Sequence, residues 1–323
     1  MKKVVVTDYA FDDLSIERGL LEPLGFSVIG QKKYEGKEKL IALVEEADYV
    51  LVQFAPVSAE IINAMKRCRL IVRYGIGYDN VDGKAAAAKN IPLCNIPDFC
   101  TDEVADHTLA MILAVTRKLV ANWDGIRRDK QWKLAVPIEE MLVLRELTVG
   151  LIAYGKIARE VAKRLAPFKC KVMIVDPMVP AATIRNDGFI PATLAELYEQ
   201  ADIISLHCPV TDQTRGMINQ ASMSRMKRGV VLVNMGRGDL VNGADVLAAL
   251  QSGHIAAAAM DVTNPEPINM DSPLLAMDNV IVTAHVASAS LRAVQYLRNT
   301  AANMVVMRER ENKLMNVVNG VHD

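Results

Sequence analysis

Short runs of β-branched and apolar residues alternate with amphipathic stretches along most of this chain. Between the first two runs, an apolar face over Phe11–Leu24 predicts a helix, and Gly25 follows it as a stop signal. Strands separated by helices indicate βαβ units and a parallel sheet. The strands predicted in the first third are Lys3–Thr7, Ser27–Ile29, Tyr49–Val52, Leu70–Arg73 and Pro92–Asn95.

A long amphipathic helix is predicted to follow these strands, with Thr101 as its N-cap. Asp102 and Glu103 then fall in the first turn, where the helix dipole favours acidic side chains. His107 lies on this helix, where we expect it to serve helix packing, with a position facing the interdomain cleft as the alternative. The polar stretch Asn122–Val136 contains both tryptophans and is expected to be a surface excursion.

The second half of the chain repeats the alternation of strand and helix. Its six predicted strands fit one doubly wound parallel sheet. A final helix over Ser290–Arg310 is predicted to carry the C-terminus back to the first lobe. The six strands are Val149–Ala153, Val172–Val175, Ile203–Leu206, Val230–Val233, Ala257–Met260 and Val280–Thr283.

Length and charge narrow the class of protein. A chain of 323 residues predicts two domains, and 37 basic against 38 acidic residues leave no basic field to attract nucleic acid. No apolar stretch approaches the ~18 residues of a membrane span. The five cysteines are scattered, without a C-x-x-C pair, so we expect no metal site and reduced thiols in a cytoplasmic protein.

The segment Thr148–Ala158 resembles a dinucleotide-binding turn between a strand and a helix. The three positions of the G-x-G-x-x-G/A pattern are occupied by Ala153, Gly155 and Ala158. Gly155 stands where the main chain approaches a pyrophosphate. Ala153 departs from the pattern at the tight turn, and alanine there costs roughly 1 kcal/mol if the position needs a positive φ.

An acidic residue in the expected place identifies the preferred dinucleotide. Asp176 ends the next predicted strand, 21 residues after Gly155, close to the spacing expected for the residue that binds the ribose hydroxyls. Its carboxylate would repel the 2′-phosphate of NADP, and Pro177 follows it in place of an arginine. The sequence therefore predicts NAD as the cofactor, with NADPH as an alternative.

Three later segments carry a resemblance to a known family. They are Val233–Val241, with N-x-x-R-G; Asp261–Pro267, with D-V-x-x-x-E-P; and Val282–Ser288, with a histidine near a strand end. In this order they resemble the D-isomer-specific 2-hydroxyacid dehydrogenases. Within that family, the chain looks most like the branch of the C-terminal-binding-protein corepressors and the phosphoglycerate dehydrogenases.

The resemblance implies two Rossmann-like or flavodoxin-like α/β lobes, each a parallel sheet flanked by helices. Residues 1–98 with 291–323 would form the substrate-binding domain, and residues 99–290 the NAD-binding domain. It also implies a homodimer. The reaction would be hydride transfer between the nicotinamide cofactor and a D-2-hydroxy acid or 2-keto acid.

The resemblance also implies roles for individual residues. His285 would be the acid–base catalyst, Glu266 would hold its second ring nitrogen, and Arg237 would bind the substrate carboxylate and carbonyl. The predicted substrate segment is Arg73, Tyr74, Gly75, Ile76 and Gly77. The predicted cofactor contacts are Tyr154, Gly155, Lys156, Ile157, Asp176, Pro177, His207, Cys208, Pro209, Thr214, Asn234, Met235, Gly236, Asp261 and His285.

A second class of function remains open. The corepressor branch suggests an NAD(H)-sensing module, in which NAD-dependent assembly matters more than turnover. The retained Arg237, Glu266 and His285 favour an enzyme over a scaffold without excluding the sensor.

Overall fold

The computed structural model describes residues 1–322, which divide into two compact units. The first unit comprises Met1–Phe99 together with the chain from Ser290 onward, and the second comprises Cys100–Ala289. Both are layered α/β structures built on one parallel sheet each. Among residues 1–322, none of the helices combines the length and apolar composition needed to cross a membrane.

The first unit is a five-stranded sheet in the order β2-β1-β3-β4-β5. All of its strand pairs are parallel. Its middle strand, β3, is buried along its whole length, as expected where helices cover both faces of a sheet. In chain order its elements up to residue 99 are β1 (Lys2–Val6), α1 (Ser15–Leu21), β2 (Phe26–Gly30), α2 (Lys37–Val44), β3 (Tyr49–Val52), α3 (Ala59–Ala64), β4 (Leu70–Arg73), α4 (Gly83–Ala88) and β5 (Leu93–Cys94).

The second unit is a seven-stranded parallel sheet in the order β12-β11-β10-β9-β6-β7-β8. The strand order reverses at β6, which lies between β9 and β7. Its elements are α5 (Thr101–Thr116), α6 (Leu119–Asp129), β6 (Thr148–Ile152), α7 (Lys156–Leu165), β7 (Lys171–Val175), α8 (Ala181–Asn186), β8 (Ile190–Pro191), α9 (Leu194–Gln200), β9 (Ile203–Leu206), α10 (Gln220–Met223), β10 (Val230–Asn234), α11 (Gly243–Gln251), β11 (Ile255–Met260) and β12 (Val280–Val282).

The last helix, α12 (Leu291–Glu311), belongs to the first unit and packs on α1. Ser290 caps it by accepting a hydrogen bond from the amide of Ala293. A buried ion pair ties the two helices together, because the Arg298 guanidinium donates to both carboxylate oxygens of Glu17. The predicted return of the C-terminus to the first lobe is therefore confirmed.

The predicted fold class of two parallel-sheet α/β lobes is confirmed, while two local predictions need correction. Thr101 is the first residue of α5, and Cys100 occupies the N-cap position. The sheet of the second unit has a seventh strand, β8, which at two residues is too short to produce a recognisable pattern of apolar residues. The stretch Asn122–Val136 lies at the surface as expected, with Trp123 61% and Trp132 94% exposed, and its first part belongs to α6, which extends to Asp129.

Candidate active site

The register of the second sheet aligns the carboxyl ends of six strands. Ile152 of β6 pairs with both Val175 of β7 and Leu206 of β9. Asn234 of β10 pairs with Leu206 and with Met260 of β11, which in turn pairs with Val282. Ligands of open α/β sheets bind at this edge, next to the strand where the order reverses. The residues that follow these six strand ends are Ala153, Asp176, His207, Met235, Asp261 and Thr283.

The dinucleotide turn lies between β6 and α7, and Ala153 occupies its strained position. Ala153 has a φ of +82°, so the tight turn does require the left-handed conformation that glycine adopts most easily. Gly155 immediately precedes α7, and a Cβ atom placed on it would meet nothing within 4 Å. Open space in front of a helix N-terminus, where amide groups lack partners, suits the pyrophosphate of a dinucleotide.

Asp176 reaches from the end of β7 to the same turn. One carboxylate oxygen accepts from the amide of Tyr154 at 2.7 Å, and the other accepts from the amide of Met178 at 2.7 Å. These bonds hold a negative charge beside the start of α7. A carboxylate can accept further hydrogen bonds from ribose hydroxyls, and its charge disfavours a 2′-phosphate. The residues present therefore fit NAD.

The other predicted residues of the turn contribute in different ways. The Tyr154 side chain is buried, and its hydroxyl donates to Asp187, so only the main chain of Tyr154 faces the turn. Burial raises the pKa of the Tyr154 hydroxyl to about 12. Lys156 is exposed at the start of α7, Ile157 is half-buried and Pro177 is exposed.

The loop after β9 contains four of the predicted cofactor contacts. His207 is half-buried, and burial lowers its pKa to about 4, so its imidazole is neutral at pH 7. Cys208 is buried, which raises the pKa of its thiol to about 11. Thr214 closes the loop by donating from its hydroxyl to the carbonyl of Pro209 at 2.7 Å.

The turn after β10 positions Arg237. Asn234 is fully buried, and its side-chain oxygen accepts from the amide of Gly236 while its amide nitrogen donates to the carbonyl of Arg237. Met235 lies between them with 9% exposure. Both polar groups of the Asn234 side chain therefore form hydrogen bonds within its own turn, and one of these bonds holds the main chain of Arg237.

The loop that carries Arg237 touches the loop that carries Glu266. Gly238 lies against the main chain of Thr263. Beside that contact, the Asn264 side-chain amide donates to Asp239, and the other oxygen of Asp239 pairs with Arg215 at 2.9 Å.

Glu266 and His285 form the predicted pair. Oε1 of Glu266 lies 2.5 Å from Nδ1 of His285, although 19 residues separate them in the chain. The hydrogen bond with His285 holds the pKa of Glu266 below its usual value, and the nearby charge of Arg237 acts in the same direction. An ionised Glu266 fixes the tautomer of a neutral His285 and stabilises its protonated form.

Asp261 organises the loop around His285. It was predicted to accept from the nicotinamide carboxamide, yet its carboxylate is 3% exposed and already accepts three hydrogen bonds. Oδ1 accepts from the hydroxyl of Thr283 and the amide of Val286, and Oδ2 accepts from the amide of Ala287. The carbonyl of Asp261 accepts from the amide of His285 at 2.9 Å. Asp261 therefore holds the loop that carries His285, and its cofactor role stays a prediction.

The predicted substrate segment follows β4 in the first unit. Gly75 has a φ of +148°, and a Cβ atom there would collide with the Arg73 guanidinium, which donates to the carbonyl of Tyr74. Tyr74 is buried, and its hydroxyl donates to Glu17, so its side chain belongs to the core of the unit. The carbonyl of Ile76 accepts from Asn95, and Gly77 is half-buried. Substrate binding by this segment stays a prediction.

Sequence reasoning missed two contributors. Thr283 directly follows β12 and touches Asp261, and its position at a strand end was the available signal. His107 was expected to serve helix packing, but its Nε2 lies 3.1 Å from the Thr283 hydroxyl. Within residues 1–322, no group of three histidine, cysteine, aspartate or glutamate side chains is arranged to hold a metal ion.

Comparison with known proteins identifies the family. Residues 109–287 match the model of the D-isomer specific 2-hydroxyacid dehydrogenase, NAD binding domain. The glyoxylate reductase of Korarchaeum cryptofilum is 32% identical over 286 residues, which are 88% of this chain and 86% of that protein. The chain therefore belongs to the D-isomer specific 2-hydroxyacid dehydrogenase family, as its motifs predicted, and it contains the NAD-binding domain of that family.

Two further similarities extend the comparison. The D-3-phosphoglycerate dehydrogenase of Mycobacterium tuberculosis is 36% identical over 258 residues, which are 80% of this chain and 48% of that protein. The chain thus spans about half the length of that relative. The D-lactate dehydrogenase of Aquifex aeolicus, solved with NAD and lactic acid, is 27% identical with a TM-score of 0.85 and covers 96% of each chain.

Proposed function

We propose that this protein is an NAD-dependent oxidoreductase that transfers a hydride between the cofactor and a D-2-hydroxy acid or 2-keto acid. The observation that carries the proposal is the pair of Glu266 and His285, joined at 2.5 Å at the carboxyl edge of a dinucleotide-binding sheet. Family membership supports the same activity. The nicotinamide, when bound, supplies or accepts the hydride.

Three side chains exchange the proton and bind the substrate. Because Glu266 engages Nδ1 of His285, we assign proton exchange with the substrate hydroxyl to Nε2. Oxidation of the alcohol requires a neutral His285 as base, and reduction of the ketone requires its protonated form as acid. Ionised Glu266 stabilises that protonated form. Arg237 presents a permanently charged, bidentate donor for the substrate carboxylate and the polarised carbonyl oxygen.

The cofactor assignment rests on Asp176 and the start of α7. A 2′-phosphate next to the Asp176 carboxylate would place two negative charges together, so NADH should bind more tightly than NADPH. Titration calorimetry with the two cofactors measures the difference. Asp176→Ser should reduce the difference in affinity between NADH and NADPH. Tighter binding of NADPH than of NADH by the wild-type protein would contradict the assignment.

The activity is tested with the pure protein, NADH and a panel of 2-keto acids of increasing side-chain size. We expect loss of NADH absorbance with at least one panel member, and His285→Ala should lower kcat by about 10²- to 10⁴-fold. His322→Ala, which removes an exposed histidine near the C-terminus, is the matched control. Tight NADH binding without turnover of any panel member would favour the NAD(H)-sensing module instead.

We further propose that the protein is a homodimer in the cytoplasm. Residues 119–143 of the second unit carry six large apolar side chains that are each more than 50% exposed, and exposed apolar surface of this kind marks interaction sites. The five free cysteines suit a reducing compartment. The most exposed apolar side chains of this segment are Leu119, Trp123, Trp132, Leu134, Ile138 and Val143.

The dimer is tested by sedimentation of the wild-type protein and of the double variant Trp132→Ser/Ile138→Ser. The wild-type protein should sediment as a dimer and the variant as a monomer. Met270→Ser removes an apolar side chain that is 79% exposed elsewhere on the same unit and should remain dimeric. A monomeric wild-type protein would contradict the proposal.

A further inference from the structure

A chain of hydrogen bonds extends from the His285 loop to helix α5. Thr283 donates from its hydroxyl to Oδ1 of Asp261 at 2.6 Å. Nε2 of His107, in the second turn of α5, lies 3.1 Å from the same hydroxyl and 3.8 Å from Oδ1 of Asp261. All of these residues belong to the second unit.

The direction of each bond follows from the number of protons. The Thr283 hydroxyl has one proton, which it gives to the Asp261 carboxylate. It must therefore accept from His107, so His107 carries a proton on Nε2. Asp261 is 3% exposed, and a carboxylate this deeply buried needs all of its donors to hold one orientation.

The loop held by Asp261 is in a conformation that it would not adopt unaided. His285 has a φ of +52°, which is uncommon for a residue other than glycine. Such a conformation persists only where surrounding contacts impose it. Here those contacts are the amides of His285, Val286 and Ala287, all of which donate to Asp261.

His107 is not needed to attach α5 to its unit. The helix already packs through a buried face that does not include His107, whose side chain is 24% exposed. Its polar contact is with Thr283. The buried residues of that face are Val104, Ala105, Thr108, Met111, Ile112, Val115 and Thr116.

We propose that His107 and Thr283 are positioning residues for His285, acting through the orientation of the Asp261 carboxylate. The proposal rests on the proposed function only for its effect on turnover. Without the Thr283 hydroxyl, Asp261 loses the one side-chain donor among the three donors that orient its carboxylate. The loop then relaxes, and the imidazole of His285 leaves the position in which it exchanges a proton with the substrate.

The kinetic test compares variants that remove or retain each hydrogen bond. Thr283→Val and His107→Phe keep the size of the side chain but remove its hydrogen bond, and each should lower kcat by about 10- to 100-fold. Thr283→Ser and His107→Gln retain a hydroxyl and an N–H donor and should recover most of that loss. The KM for the keto acid should change little, because the substrate is held by Arg237.

A second measurement does not depend on turnover. Nitrogen-15 NMR of labelled histidine should show the Nε2–H form for His107 at neutral pH, and Thr283→Val should shift the ring signals of His285. Thr116→Val is the control and should leave those signals unchanged, because it removes the hydroxyl of a buried threonine on α5 that bonds only within the helix.

The outcomes separate this proposal from the proposed function. His285 signals and kcat that are unchanged in Thr283→Val would overturn the positioning role, even if the wild-type protein is an active dehydrogenase. Equal losses in His107→Phe and His107→Gln would also overturn it, because the hydrogen bond would then be irrelevant. A wild-type protein without turnover would contradict the proposed function, and the NMR comparison would still decide the positioning role. If Thr283→Val fails to fold, the comparison of His107→Phe with His107→Gln tests the positioning role.

Discussion

Gly238 packs directly against Thr263, so closely that an added Cβ atom would lie 2.0 Å from the Thr263 carbonyl oxygen. Arg237 precedes Gly238, and Glu266 lies three residues after Thr263. One main-chain contact therefore joins the two loops that carry these side chains. Any residue larger than glycine has to push the loops apart, because the atoms it meets are main-chain atoms.

We expect Gly238→Ala to separate Arg237 from Glu266. Overpacking should lower the free energy of unfolding by about 1–3 kcal/mol, and displacement of the two side chains should lower kcat/KM by at least about 10-fold. Urea denaturation and steady-state kinetics measure the two effects. Gly19→Ala is the control, since a Cβ atom on this helical residue meets nothing within 4 Å. Wild-type kinetics in Gly238→Ala would contradict the expectation.

Ala153→Gly should stabilise the protein. The φ of +82° at this position costs an alanine roughly 1 kcal/mol more than a glycine, so the free energy of unfolding should rise by about that amount. NADH affinity should be retained or increased, because the change removes only a methyl group. Ala153→Val should have the opposite effect on stability, since a β-branched residue tolerates this conformation even less well. Weaker NADH binding by Ala153→Gly would mean that the methyl group contacts the cofactor productively.

His207 should make stability depend on pH in the acidic range. Burial lowers its pKa to about 4, whereas an unfolded histidine titrates near 6.5. Well above pH 6.5, His207 is neutral in both the folded and the unfolded state, so it does not lower the free energy of unfolding. As the pH falls toward 4, the unfolded state binds a proton that the folded state cannot, which costs up to about 3 kcal/mol.

The corresponding experiment is urea denaturation of the wild-type protein and His207→Gln between pH 7 and pH 4.5. The wild-type protein should lose more stability over this interval than the variant does. The same dependence on pH in both proteins would show that His207 is accessible to protons in the folded state.

Substitution of either member of the buried ion pair between Glu17 and Arg298 should strongly destabilise the protein. Glu17 is fully buried and Arg298 is 6% exposed, so the loss of Arg298 leaves a buried carboxylate without a cation, and the loss of Glu17 leaves the guanidinium only the exposed Asp13 at 3.6 Å. We expect Glu17→Leu or Arg298→Met alone to lower the free energy of unfolding by about 3–5 kcal/mol. The double variant should be less destabilised than the sum of the two. Additive losses in urea denaturation monitored by circular dichroism would contradict this coupling.

The sequence by itself determined the layered α/β class, because each buried strand of a parallel sheet is a local apolar run. Tyr49–Val52, Leu70–Arg73 and Ile203–Leu206 have the bounds that their runs predicted. The family was likewise recognisable, since its motifs are short segments in a set order. The sequence also marked Ala153 as the residue that departs from the pattern of the turn, whereas the structure decided that its φ is positive.

Only the tertiary structure decided how the residues of the site depend on one another. The bond between Glu266 and His285 spans 19 residues and exists because β11 and β12 are adjacent and in register. Asp261 looked like a cofactor ligand, but folding surrounds its carboxylate with donors from the His285 loop. His107 lies beside Thr283 because of how its helix packs, and no local sequence pattern encodes that packing. Local propensity specifies elements, whereas hydrogen bonds between distant loops depend on the register and packing that assemble them.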